Sequence, residues 1–191
     1  MHPLVLDLET KNTFADVGGH DPSKLAVSMV CIYSYAQKSF FSFTEHELAK
    51  LWPHLENADV LVGFNIAHFD LPVLAAHYPG DTTKLPVFDI LDAVKTTLGF
   101  RLKLDTIAQA TLGKGKSGHG LDAVQWYKQG EIEKIREYCI QDVAITRDVF
   151  EYGRTHGKLV YTDFGVKREF PFRFDPAPFI QRSVVNLVLP L

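Results

Sequence analysis

The sequence predicts an α/β fold, with an apolar first strand inside a sheet and helices against its faces. Three observations carry that expectation. Residues 3–10 (PLVLDLET) alternate along an apolar strand, with leucines at 4, 6 and 8. Residues 25–36 and 39–43 are rich in β-branched and aromatic side chains, and only Gln37 and Lys38 separate them, so they join the first strand as antiparallel neighbours. Residues 59–64 (DVLVGF) are almost continuously apolar, as befits a strand buried on both faces.

In the first strand Leu4, Leu6 and Leu8 share one face, and Val5, Asp7 and Glu9 share the other. Two carboxylates on one face repel, and burying either is unfavourable unless it is paired or neutralised. A divalent cation with hard oxygen ligands relieves both problems. A strand end where solvated acids begin a loop gives the same pattern without one. Residues 11–24 form a polar loop with turn signals at Gly18-Gly19 and Asp21-Pro22. Thr44 and Glu47 make a capping box for a helix to about residue 57, with Leu48, Leu51, Trp52 and Leu55 as its buried stripe.

Residues 63–74 (GFNIAHFDLPVL) end a strand and start a helix near Asp70, with Pro72 in its first turn. Asp70 as an N-cap and Asn65 as a loop residue are plain structural accounts of both. Residues 87–90 lead into a helix through Leu98, and residues 104–112 form another, capped near Asp105. Residues 113–120 (GKGKSGHG) are glycine-rich and basic. They fail as a phosphate loop, because Ala110 stands where the first glycine belongs and no strand precedes. Lys114 and Lys116 there, with Arg101 and Lys103, are candidates for a local basic patch.

Residues 131–152 read as a long helix whose stripe holds Ile132, Ile135, Cys139, Thr146 and Val149. Tyr138 and Asp142 fall inside that stripe, where an aspartate needs a partner. A core tyrosine and a paired aspartate account for them locally; a metal shared with the first strand accounts for them globally. Gly157 ends the helix. Residues 159–164 and 169–174 then form a hairpin about Gly165, and Pro176, Pro178 and Pro190 mark an irregular tail.

With 191 residues, the chain suggests one domain, or one with a small extension. The net charge of −3 gives no global basic signal, so a nucleic-acid partner requires a local patch. Cys31 and Cys139 form no CxxC, which speaks against a zinc or disulfide framework and for a reducing, cytoplasmic setting. Met1 runs almost directly into a strand, leaving no signal-peptide pattern, and the longest apolar stretch is too short to span a membrane. His46-Glu47 begins an HExxH that Lys50 breaks, and Ser117 lies outside a GxSxG.

The motifs occur in a telling order: Asp7-x-Glu9 on the first strand, Asn65-x-x-x-Phe69-Asp70 at a strand-to-helix junction, and Tyr138-x-x-x-Asp142 on a long helix. This set resembles the DEDD 3′–5′ exonuclease superfamily, which has a ribonuclease-H-like fold. The tyrosine resembles its DEDDy branch; the DEDDh branch has histidine where this chain has Glu137. In wording, GFNIAHFDLPVL and EYCIQDVAITRDVF are similar to the second and third exonuclease motifs of the proofreading domain of family-B DNA polymerases. The resemblance spans residues 4–150. No polymerase domain follows, so the expectation is a free-standing exonuclease or the nuclease part of an assembly.

The resemblance implies a mixed five-stranded sheet, three strands antiparallel and two parallel, flanked by helices. It implies a domain over residues 1–156, with 157–191 as a hairpin and tail extending it. It implies two divalent ions, Mg2+ or Mn2+, with Asp7 bridging both, Glu9 and Asp142 completing the first, and Asp70 holding the second. Tyr138 would orient the attacking water, as a poor base at neutral pH. Leu8 and Thr10 would contact the terminal nucleotide, and Asn65 and Phe69 the strand. The expected substrate is the 3′ end of single-stranded DNA, with an exoribonuclease of ribonuclease D type, a non-catalytic nucleic-acid-binding module and a structure-specific endonuclease as competing readings. A polymerase or helicase is a conceivable partner, and no membrane is expected.

Overall fold

A computed structural model describes residues 1–115 and 120–180. Its main sheet has five strands in the order β3-β2-β1-β4-β5: β1 (Pro3–Thr10), β2 (Val27–Ser34), β3 (Ser39–Thr44), β4 (Val60–Gly63) and β5 (Val87–Asp89). β2 runs antiparallel to β1 and β3, whereas β4 runs parallel to β1 and β5. β1 therefore lies at the centre, between an antiparallel half and a parallel half. The expected mixed five-stranded sheet is the one observed.

The period-two pattern of β1 divides two apolar layers. Leu4, Leu6 and Leu8 join Val30, Ile32 and Leu61 against α1 (Leu48–Glu56) and α2 (Asp70–Ala75). Val5 joins Met29, Cys31 and Val62 on the other face, against α3 (Ile90–Leu98), α4 (Leu104–Leu112) and α6 (Ile132–His156). Asp7 and Glu9 share the α6 face. The α6 stripe is buried at Ile135, Tyr138, Cys139, Asp142, Thr146 and Val149.

Several elements differ from expectation. The Thr44–Glu47 capping box forms, but it heads a single 3-10 turn, Glu45–Glu47, before α1 begins. Trp52 is only partly buried and sets its ring against Tyr78 at 5.2 Å. α4 starts at Leu104 behind Lys103, so Asp105 sits in the first turn rather than at the cap. α5 (Gly120–Gln129) is an additional helix between α4 and α6. α6 runs one turn further than expected, to a left-handed Gly157.

The hairpin forms as β6 (Lys158–Asp163) and β7 (Val166–Pro171), so its second strand begins three residues earlier than read from sequence. The chain reverses in two residues, Phe164 and Gly165. Past Pro171, the Phe172 amide makes one more cross-strand bond, to the Gly157 carbonyl at 2.9 Å, and the rings of Phe172 and Phe174 pack on Phe88, with centroids at 5.7 and 4.9 Å. That aromatic cluster, rather than strand pairing, explains the run of phenylalanines. Among the described residues, no helix is long and apolar enough to cross a membrane.

Candidate active site

Asp7 and Glu9 project from the far end of β1, where the register with β2 slips between Glu9 and Thr10. Asp142 comes from α6, which crosses that face. Ligand oxygens of Asp7, Glu9 and Asp142 all lie within 4.8 Å of one another. Glu9 and Asp142 are buried; Asp7 is partly exposed. Three carboxylates this close, offering only oxygen, suit a hard divalent cation.

Asp70 approaches from the other side of the strand. It is not the cap of α2, since Phe69 occupies that position. Instead its Oδ1 accepts the amide of Leu8 at 3.0 Å, tying the helix to β1 beside Asp7. Burial raises its pKa well above the usual carboxylate value, and the charge of Asp7 adds to the rise. Ionised Asp70 is therefore unfavourable here unless a proton or a cation offsets its charge.

Tyr138 lies one turn before Asp142, with its ring against Trp126 of α5 at 5.8 Å. Burial pushes its hydroxyl pKa well up, followed by the negative charges of Asp142, Glu9 and Asp7. Behind the acids, the Cys139 thiol donates to the Asp7 carbonyl at 3.5 Å.

These groups line one cavity of about 630 Å³. Asp7, Glu9, Asp70, Tyr138 and Asp142 supply its polar side, and Leu8, Thr10 and Phe69 also border it. Asn65 is not part of the lining. It follows the lining residue Phe64, adopts a left-handed backbone (φ 70°), and accepts a bond from the Arg101 guanidinium at 2.7 Å. Lys114 does not line the cavity; its ammonium pairs with Asp148 of α6 at 3.2 Å. Lys116 lies outside the described residues.

Sequence reasoning missed the apolar walls and one buried acid. Phe14, Leu25, Phe64, Leu121 and Val124 line the cavity, and Phe14 meets Phe69 edge-on at 6.2 Å. A phenylalanine alone in a polar loop was the available signal for Phe14. Asp89 caps α3 by accepting the Leu91 amide at 2.9 Å. It also accepts the amides of Asn65 (2.9 Å) and Ala67 (3.0 Å), fixing the loop that leads to Asp70. The cap was readable from sequence; the reach across 24 and 22 residues was not. Oxygens of Asp89 and Asp92 cluster with a His68 nitrogen within 4.8 Å. Both Asp89 oxygens already accept amides, and His68 pairs with Asp92 at 2.9 Å. The positive end of α3 disfavours a cation there.

A central acidic strand, parallel and antiparallel neighbours, and a crossing helix that adds a further acid define a ribonuclease-H-like α/β domain with a cation-attracting cavity. The model of the RNase_H superfamily matches residues 4–153, and the chain belongs to that superfamily. Among solved structures, it is similar in fold to the family B DNA polymerase from the hyperthermophilic archaeon Pyrobaculum calidifontis. That match has a TM-score of 0.60 and 15% identity and covers 80% of this chain. The chain spans 24% of the polymerase, about a quarter of its length. No curated protein matches the sequence.

Proposed function

We propose that the chain is a metal-dependent 3′–5′ exonuclease of the DEDDy kind, releasing nucleoside monophosphates from single-stranded DNA ends. The observation that carries this reading is the convergence of Asp7, Glu9 and Asp142 within 4.8 Å, beside buried Asp70 and Tyr138, in one cavity with apolar walls. Residues 1–156 form the nuclease unit in this reading, and the hairpin extends it.

Asp7, Glu9, Asp70 and Asp142 would hold two Mg2+ or Mn2+ ions. Such ions, when bound, supply a hydroxide nucleophile at neutral pH and offset charge on the scissile phosphate. The chain's own groups do the rest. Tyr138 would orient a water by hydrogen bonding rather than act as the base, since an ordinary phenol, with a pKa of about 10, keeps its proton at neutral pH and burial raises it further. Phe14, Phe69 and Leu121 offer apolar surface to the faces of unpaired bases, without preference among them.

The test is release of mononucleotides from matched DNA and RNA single strands labelled at the 5′ end, with magnesium, with manganese and with chelator. Metal-dependent shortening from the 3′ end is expected, faster on DNA. Asp7→Ala should abolish it, and Tyr138→Phe should reduce it by a smaller factor. Full activity of folded Asp7→Ala, or no hydrolysis of either strand by the unaltered protein, would overturn the reading. Faster loss of RNA would reassign the substrate.

A further inference from the structure

The tip of the β6–β7 hairpin holds an exposed aromatic side chain, Phe164. Its two-residue loop, Phe164–Gly165, has positive φ at both positions, 46° and 79°. Such loops favour Asn, Asp or Gly, and a bulky residue in the left-handed region is disfavoured. Among the described residues no packing offsets this: Phe164 is fully exposed at 101%. Val166, next along the strand, is exposed as well.

Two cations follow these apolar groups along β7 and, by the strand's alternation, take opposite faces of the hairpin. Lys167 and Arg168 of β7 are exposed, and Arg168 sits opposite Tyr161 in register, on the same face of the hairpin. The Tyr161 ring meets the exposed Phe100 at 6.0 Å. Phe100 precedes Arg101, which holds Asn65, and Asn65 follows the cavity residue Phe64. The contacts thus link the acidic cavity to the hairpin residue by residue. Segments 100–103 and 161–168 carry Arg101, Lys103, Lys167 and Arg168 against one acid, Asp163, which pairs with Arg168 at 2.9 Å. Exposed aromatics interleaved with cations are the surface that single strands bind without sequence readout.

We propose that this strip, from Phe100 to the hairpin tip, binds the single-stranded part of the nucleic acid outside the cavity, with Phe164 stacking on a base. The substrate class rests on the nuclease reading; the strip's chemistry does not depend on catalysis. Binding is therefore measured by fluorescence anisotropy in chelator, with a labelled single-stranded DNA of about 20 nucleotides. Phe164→Asn should weaken binding about tenfold. Its unfolding temperature should not fall, because asparagine tolerates the left-handed region. Lys167→Gln with Arg168→Gln should lower the slope of log affinity against log salt by about 1.4, or about 0.7 per cation. Lys50→Gln, which removes a charge from α1, should leave both readouts near those of the unaltered protein.

Variants that bind as tightly and with the same salt slope as the unaltered protein would overturn the strip. That outcome, with hydrolysis intact, would leave the nuclease reading standing. Binding that the variants weaken, in a protein that hydrolyses nothing, would sustain the strip and sink the nuclease reading. Absence of binding by the unaltered protein would overturn the strip outright.

Discussion

Asp142→Asn should stabilise the metal-free protein while removing its response to magnesium. The side chain keeps its shape and one oxygen, so the change isolates charge. Asp142 lies within 4.8 Å of both Asp7 and Glu9, and each such pair repels by about 3.5 kcal/mol at an effective dielectric of about 20. Partial exposure of Asp7, counterions and proton uptake dissipate most of this, leaving a relief of about 2 kcal/mol. For a chain of this size that raises the unfolding temperature by about 4–8 °C in chelator. Magnesium at about 100 times its Kd should add about 2.7 kcal/mol to the unaltered protein and far less to the variant. Circular dichroism melts with EDTA and with magnesium measure both quantities. A variant no more stable than the unaltered protein in EDTA, with an undiminished magnesium shift, would refute the claim that these three acids share a cation.

Asp70→Asn tests the same electrostatics through pH. Burial and then Asp7 raise the folded-state pKa of Asp70, so its contribution to stability is present below its unfolded value and lost as pH rises through the folded one. In chelator, the variant's advantage in unfolding temperature should be small near about pH 4 and grow toward neutrality; a pH-independent difference would contradict the assignment. Asp89→Ala strips the acceptor from three amides, a loss of about 3 kcal/mol. Hydrogen exchange at Asn65 and Ala67 should accelerate, and unchanged protection would show that the loop is held otherwise. Gly63→Ala places a Cβ 2.6 Å from Ile66 Cβ and 3.0 Å from the Leu6 carbonyl, so β1 or the loop must shift. The urea midpoint should fall by the equivalent of about 1–3 kcal/mol or more.

What the sequence revealed was what repeats within one element. Alternation in residues 3–10 put Asp7 and Glu9 on one face and the leucines on the other, because a strand's side chains have a period of two. The stripe of α6 held Tyr138 and Asp142 for the corresponding helical reason. What escaped lay between elements. Asp70 taken alone reads first as a cap; Phe69 holds that position instead, and Asp70 reaches back to the Leu8 amide. The reach of Asp89 to Asn65 and Ala67 depends on β4 and β5 lying side by side, which no local pattern encodes. The second hairpin strand lies three residues before the span its pattern suggests, because Phe172 and Phe174 resemble strand residues while their rings pack on Phe88 and Phe150.

The spacing between β1 and α6 decides whether the acids can act together, and two small side chains set it. Cys31 stands opposite Asp7 on β2, on the face that meets α6. Cys139 lies between Tyr138 and Asp142 in the α6 stripe, and its thiol touches the Asp7 carbonyl. Both are fully buried, and burial, then Cys31, pushes the Cys139 thiol well up, so it serves as a compact neutral contact rather than a nucleophile. A compact residue here lets a helix come close to a strand that carries two acids. A larger one would hold α6 off and separate Asp142 from Asp7 and Glu9. The apolar layers on both sides of β1 supply the stability that the clustered charges remove, which is why the acids occupy the most deeply supported strand of the sheet rather than an edge.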